Sequence, residues 1–230
     1  TKVGVTEQYL AGIFYQTITE LGCQDVAYPS IVAAGNNANC LHYVENKKVL
    51  ESGEMLLIDA GGELNNYSAD ITRTFPVNGK FSPVQKELYQ LVFSAQNTAM
   101  ALIKPGLRWD TIYDSAMKIM LDGLLQLGFL KGDFNELFET EAYRQFTICK
   151  TGHWLGLDVH DVGAYQTQAG WEYLQQNMLF TLEPGIYLPY GNESVPEKYQ
   201  GMGIRIEDDI LVTSAGYENL SISAPRTVDD

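Results

Sequence analysis

The stretch GEMLLIDAGGELNNYSADITRTFPV, Gly53 to Val77, decides the fold. Two runs rich in apolar and β-branched residues, MLLI and ITRTF, flank a Gly-Gly pair and an Asn-Asn pair, the composition of two strands around a turn region. Each run nevertheless carries an acid where a valine or isoleucine belongs: Asp59 directly after Ile58, and Asp70 directly before Ile71. The two acids lie eleven residues apart across one expected hairpin. Their side chains can therefore meet on one face of paired strands.

Upstream, TEQYLAGIFYQTITELG (Thr6–Gly22) spaces its apolar residues as a helix does and stops at a glycine. SIVAAGNNANCLHY (Ser30–Tyr43) reads as a short strand, a polar turn and a second extended piece carrying His42. Downstream, Ser82 opens a helix with a capping box: Ser82 as N-cap, Pro83 at the first helical position and Gln85 at the third. Val84, Leu88, Leu91, Val92, Ala95, Leu102 and Ile103 give it an apolar stripe, and Lys104-Pro105-Gly106 ends it. A second helix fits Trp109 to Leu127, stopped by Gly128. After a less legible stretch come NMLFTLEPGIYLP (Asn177–Pro189) and GMGIRIEDDILVTSAG (Gly201–Gly216), both strand-like and bounded by Gly or Pro. Strands, two helices and strands again predict an α+β domain, with helices packed on a curved, largely antiparallel sheet. No internal repeat or linker divides the 230 residues, so residues 1–230 are expected to form a single domain.

Composition excludes several classes. With 15 basic against 29 acidic residues the net charge is −14, which repels phosphate backbones and anionic lipid, so neither nucleic acid nor a membrane is an expected partner. The three cysteines, Cys23, Cys40 and Cys149, form no CxxC pair and cannot all be bridged, which points to a reducing, cytoplasmic setting. No apolar run approaches the ~20 residues a membrane-spanning helix needs.

Two further acids interrupt the late strands: Glu183 ends LFTL and is followed by Pro184-Gly185, and Glu207 sits in GIRIEDDILV. The chain has only three histidines, and two of them, His153 and His160, fall in CKTGHWLGLDVHD (Cys149–Asp161). Each feature alone has an ordinary reading. Asp59 could cap a turn, Glu-Pro-Gly is commonly a turn, and His42 and the histidine pair could be packing residues. Arg205 with Glu207, Asp208 and Asp209 could form a surface cluster, and Cys149 could be a small buried hydrophobe. Taken together, burying four carboxylates is costly unless a cation supplies the missing charge. Four carboxylates with one imidazole suit Mn²⁺ better than a structural zinc. Five ligands exceed what one ion needs from protein, whereas two ions about 3.5–4 Å apart sharing a hydroxide would use them.

In order along the chain, IDAGGELNNYSADITRTF, GHWLGLDVHDVG, TLEPGIYLP and GMGIRIEDDILVT resemble the metal and substrate motifs of the pita-bread metallopeptidases, over nearly all of the sequence. Within that family the match is to the Xaa-Pro aminopeptidase (aminopeptidase P) branch, with prolidase as near relative. The resemblance implies the pita-bread fold and a dinuclear centre, typically of manganese, held by Asp59, Asp70, His153, Glu183 and Glu207. Asp70 and Glu207 would bridge the two ions. Glu183 matches the general base for the bridging hydroxide, His42 and His160 match histidines that steady substrate and intermediate, and Arg205 matches the arginine supporting the acidic cluster. Cys149 stands where the family usually has a histidine that contacts the proline side of the substrate. Family members usually carry a further domain ahead of this one, and the sequence here starts near the expected first helix of the catalytic domain, as either a fragment or a short form would.

The implied activity is a hydrolase removing the N-terminal residue from peptides with proline second. The alternatives are a prolidase cutting Xaa-Pro dipeptides, or a non-catalytic peptide- or protein-binding module of the same fold. Methionine aminopeptidase shares the five ligands but fits less well around His153 and His160. The family leaves a homo-oligomer open.

Overall fold

In the computed structural model, which describes residues 1–229, the chain opens with helix α1 (Glu7–Glu20). Thr6 caps it, its hydroxyl accepting the Tyr9 N–H at 3.1 Å, and Gly22 at φ +95° turns the chain out of it. Strands β1 (Asp25–Val26) and β2 (Ile31–Ala34) lead through a 3-10 turn at Gly35–Asn39 toward β3 (Met55–Ala60). Then follow β4 (Gly62–Leu64), β5 (Tyr67–Ser68) and β6 (Ile71–Pro76). Two long helices come next, α2 (Pro83–Met100) and α3 (Trp109–Gln126). After them lie the short α4 (Phe134–Glu139) and the hairpin β7 (Gln166–Thr167) and β8 (Gly170–Trp171). The last strands are β9 (Leu179–Leu182), β10 (Gly185–Leu188), β11 (Met202–Arg205), β12 (Asp208–Val212) and β13 (Tyr217–Asn219).

The decisive stretch is more elaborate than one hairpin. β3 pairs antiparallel with β2 on one side and β6 on the other, and the residues between β3 and β6 form a second hairpin, β4–β5, whose β4 pairs with β1. Asn65 and Asn66 are its two-residue loop, both left-handed at φ 52° and 68°, a geometry asparagine tolerates better than most residues. Asp59 faces Thr72 in the register, not Asp70. Thr72 and Asp70 are two residues apart and share a face, so Asp59 and Asp70 are diagonal neighbours on that face. At Gly61 any Cβ would fall 1.6 Å from the Ala69 carbonyl oxygen, so only glycine lets the two chains approach this closely between the acids.

β9–β10 and β11–β12 run as one antiparallel ribbon broken in its middle. β10 pairs with β11 (Gly185 with Arg205), and β9 with β12 (Leu182 with Asp208). Continued through the break, the common register would set Glu183 opposite Glu207, like charge against like. This ribbon is stitched to β6: the Glu207 N–H donates to the Thr72 carbonyl at 3.1 Å, and the Thr74 hydroxyl donates to the Arg205 carbonyl at 2.8 Å. The segment before β9's partner edge is also fixed, with the Thr181 and Glu183 N–H groups donating to the carbonyls of His153 and Thr151, each at 2.9 Å.

α2 and α3 cover the sheets. Leu88, Val92 and Ala95 of α2 and Met117, Met120 and Leu124 of α3 pack with Phe180, Leu182, Ile186, Ile204 and Ile210 in the main core. The expected capping box is present, the Ser82 hydroxyl accepting the Gln85 N–H and the Gln85 side chain accepting the Ser82 N–H. α2 ends at Met100, earlier than its apolar stripe predicts, so Leu102 is exposed and only Ile103 returns to the core. The piece carrying His42 is irregular, not a strand, because Cys40 to Lys47 finds no neighbouring strand to pair with. No helix among the described residues is long and apolar enough to cross a membrane.

Candidate metal centre

All nine residues singled out in the sequence line one cavity of about 510 Å³: His42, Asp59, Asp70, Cys149, His153, His160, Glu183, Arg205 and Glu207. They arrive from the ends of β3, β6 and β11, the irregular piece carrying His42, the break in the β9–β12 ribbon and the 149–160 segment, which is how residues far apart in sequence meet.

Asp70, His153 and Glu207 each offer a ligand atom, and the three atoms lie within 4.8 Å of one another. His153 Nε2 is 3.3 Å from Asp70 and 3.6 Å from Glu183. The other ring nitrogen, Nδ1, lies 3.1 Å from the Trp154 carbonyl. A carbonyl accepts only, so Nδ1 carries a proton, and Nε2 is the nitrogen left to face the acids: it donates to them when the ring is protonated and would offer its lone pair to a metal that displaced that proton. Gly152 lets this segment press on β9, since a Cβ there would sit 2.1 Å from the Thr181 carbonyl oxygen.

The acids outnumber their cations. Arg205 Nη2 bonds Asp59 at 2.5 Å, Nη1 bonds the Tyr187 hydroxyl at 2.9 Å, and Nε bonds the Thr72 hydroxyl at 3.1 Å. That hydroxyl in turn donates to Glu207 at 2.6 Å. Burial pushes Glu183 up to about 7, against the pull of Arg205 and His153. Burial and the anions of Asp70 and Glu183 hold Glu207 well above the carboxylate range, and burial raises Asp59 despite Arg205. Burial lowers the charged form of His153, but Asp70 and Glu183 outweigh it and the net shift is upward. His160 packs edge-on to the His153 ring at 4.2 Å; burial first, then His153, lowers its pKa.

Sequence reasoning missed three participants. The single Tyr28 hydroxyl touches both Asp59, at 2.5 Å, and Asp70, although it has one proton to give. Thr72 links Arg205 to Glu207. Asp209, buried on β12, accepts the Asp70 N–H at 3.2 Å with one oxygen, while its other oxygen has no partner among the described residues. Burial pushes Asp209 up to about 7. No local signal marks Tyr28 or Thr72, whose contacts lie 31 to 135 residues away in sequence. Asp209 was visible only as part of a run of acids.

Cys149 takes a hydrogen bond from the Tyr187 hydroxyl at 3.5 Å, and burial, with Glu183 beside it, pushes its thiol up to about 11. It is a neutral thiol, which argues against a nucleophilic role.

With Asp59, Asp70, Glu183 and Glu207 ionised, four negative charges face one buried cation, Arg205. A hydroxyl shared by two carboxylates and an imidazole whose Nε2 faces the same acids complete the picture. This donor set fits divalent cations: it lacks positive charge and offers hard oxygen ligands with one imidazole.

Comparison with known proteins agrees with this chemistry. The description of metallopeptidase family M24 matches residues 1–214. The Xaa-Pro aminopeptidase of Haemophilus influenzae is 50% identical over 204 residues, 89% of this chain and 47% of that protein. The Xaa-Pro aminopeptidase of Escherichia coli is 43% identical over 229 residues, 100% of this chain and 52% of that protein. The chain thus spans about half the length of the curated relatives it matches. Among solved structures, Pseudomonas aeruginosa aminopeptidase PepP superposes with a TM-score of 0.97 at 45% identity, covering 99% of this chain and 52% of that one. Zinc-substituted E. coli aminopeptidase P in complex with product gives 0.96 at 43% identity, covering 99% and 51%. The α+β, pita-bread expectation therefore holds.

Proposed function

Because the chain belongs to metallopeptidase family M24, we propose that it is a metal-dependent aminopeptidase releasing the N-terminal residue from peptides with proline second. The observation that carries the reading is the uncompensated cluster of buried carboxylates around His153, lining a cavity of the size that takes small ligands. The names of the two relatives cited, both Xaa-Pro aminopeptidases, supply the substrate class.

Asp59, Asp70, His153, Glu183 and Glu207 would hold two ions, and the oxygen-rich set favours Mn²⁺. Bound there, the ions would make water nucleophilic at neutral pH and polarise the scissile carbonyl. Glu183 takes the proton from the attacking water at Oε1 or Oε2 and returns it to the leaving proline nitrogen, its carboxylate lining the cavity 3.6 Å from His153. His160, neutral at pH 7, donates a ring N–H to the oxygen of the developing tetrahedral centre, and His42 lines the same cavity to hold the peptide. Arg205 keeps Asp59 ionised and, through Thr72, fixes the Glu207 carboxylate. The peptide enters from solvent without nucleic acid or membrane as partner.

The test loads the protein with Mn²⁺, measures bound metal by elemental analysis and compares Xaa-Pro-Yaa tripeptides with Xaa-Ala-Yaa tripeptides and Xaa-Pro dipeptides. Metal uptake with turnover of the Xaa-Pro tripeptides alone is expected. Faster cleavage of the dipeptides would make the chain a prolidase instead, and no metal uptake would remove the catalytic reading.

A further inference from the structure

Two basic side chains line the cavity, Arg205 and Lys150. Arg205 is buried and engaged by Asp59, Tyr187 and Thr72. Lys150 is exposed and has no ion pair or hydrogen bond with any described residue; its Nζ stands 6.0 Å from the Tyr165 ring, at the outer limit of a cation–π contact. Surface lysines are commonly solvated and idle. The root of this one is held, however. The next residue, Thr151, accepts the Glu183 N–H at 2.9 Å, and the preceding Cys149 sulfur lies 3.7 Å from the Glu183 carbonyl oxygen. Lys150 is thus tied on both sides to the residue at the break of the β9–β10 ribbon, and it lines a cavity whose other charged walls are Asp59, Asp70, Glu183, Glu207 and the already-paired Arg205.

A free cation at the mouth of an acidic cavity recruits an anion. Resting on the peptidase reading above, the chemistry of a peptide says which. Its amino end is cationic and has to approach the acidic centre for the first peptide bond to be cut, its backbone is neutral, and its C-terminus is a carboxylate. Extended chain advances about 3.3–3.6 Å per residue, so a tripeptide's carboxylate trails the scissile carbonyl by roughly 7 Å. Lys150 is three residues from His153, at most about 11 Å of chain, with a flexible four-carbon stem to close the difference.

We propose that Lys150 forms a carboxylate subsite, so that the protein favours short peptides whose free C-terminus, or acidic third side chain, reaches its ammonium group. Lys150 is a specificity determinant that touches substrate away from the reacting atoms.

Four peptides of one sequence family separate the sources of the carboxylate: Xaa-Pro-Leu as free acid and as C-terminal amide, and Xaa-Pro-Glu and Xaa-Pro-Gln as amides. With Mn²⁺-loaded protein at low ionic strength, the acid is expected to show a KM about two- to five-fold below its amide, the scale of an exposed ion pair, and the gap closes in high salt. A similar gap between the Glu and Gln amides assigns a side-chain source; its absence assigns the C-terminus. Lys150→Met should raise the KM of the acid to that of the amide, with the change in KM and not kcat, and Lys150→Glu should invert the order. Equal KM for all four peptides on the unaltered protein, or a preference that survives Lys150→Met, overturns the subsite. A non-hydrolysable Xaa-Pro-Leu analogue with a methylene in place of the scissile carbonyl, titrated calorimetrically as acid and as amide, reads the same preference without turnover. If no peptide is cut, the peptidase reading fails alone while the analogue still decides Lys150.

Discussion

Stripped of metal, the protein should lose stability as pH rises from 5 to 8, and metal should flatten the slope. Glu183 ordinarily titrates at 4.5 and is pushed up to about 7 in the fold; Asp209 ordinarily titrates at 3.8 and is likewise pushed up to about 7. Burial is the first cause in both. A carboxyl whose folded pKa exceeds its unfolded one binds its proton more tightly in the native state. Its contribution is therefore intact below the unfolded value and is lost as pH climbs through the folded one. At about 1.36 kcal/mol per unit, Glu183 alone accounts for on the order of 3 kcal/mol. Asp209 adds a comparable amount that is not fully independent, because both feel Asp70. For a chain of this size 1 kcal/mol moves Tm by roughly 2–4 °C, so the chelated protein should melt at least about 6 °C lower at pH 8 than at pH 5. His160, shifted downward, works against this only at the acid end. Divalent cations bind the ionised acids, so their affinity grows over the same interval. At 100 times the dissociation constant they contribute about 2.7 kcal/mol, enough to flatten the profile. Scanning calorimetry with chelator and with Mn²⁺ measures both curves, and the Glu183→Gln, Asp209→Asn double variant supplies the control. A chelated Tm that is level or rising from pH 5 to 8 refutes the argument, as does an unchanged slope in the double variant.

Other perturbations read single contacts. Tyr28→Phe removes the hydroxyl shared by Asp59 and Asp70 and should cost about 1.5–3 kcal/mol in urea unfolding of the metal-free protein; an unchanged midpoint would show that hydroxyl to be incidental. Arg205→Met strands Asp59 in the interior and should cost about 3–5 kcal/mol before metal is added, with partial recovery in Mn²⁺. Gly152→Ala forces a methyl against the Thr181 carbonyl and should weaken metal retention on dialysis more than it lowers Tm, because it displaces His153; equal metal content would count against that placement. The Cys149 thiol, at about 11, is roughly one part in a thousand thiolate at pH 8, so a disulfide reagent should consume exposed Cys40 well before Cys149.

Much of this was legible because local rules left marks. The Ser82–Gln85 capping box fixed the start of α2, and acids placed inside apolar runs flagged Asp59, Asp70, Glu183 and Glu207 as wrong for a core and right for an ion. What stayed hidden was set by distance. Asp59 and Asp70 look like partners across a hairpin, but the inserted β4–β5 hairpin shifts the register so that Thr72 faces Asp59. The stretch from Phe129 to Gln175 was illegible because its helix and strands are two to six residues long, too short for any period to show. Tyr28 sits beside a proline in a segment that forms no strand, and only the folded chain brings it under both acids.

The break in the β9–β12 ribbon shows why the same residues cost stability and serve the site. Continuous pairing would place Glu183 directly against Glu207, a like-charge contact that strands avoid, and Pro184 denies the ladder a donor at that point. The ribbon opens there, and the Ile206 N–H reaches only the Pro184 carbonyl, at 3.3 Å. The opening frees the two carboxylates from facing each other along the strands and turns them into the cavity beside His153 and Asp70. Strands on either side, buried and fully paired, hold that arrangement against its own repulsion. A sheet assembled for stability alone would place an apolar pair at 183 and 207. The acids persist at a position where only a cation makes them favourable, and that misfit, more than any single residue, is the physical argument for a metal here.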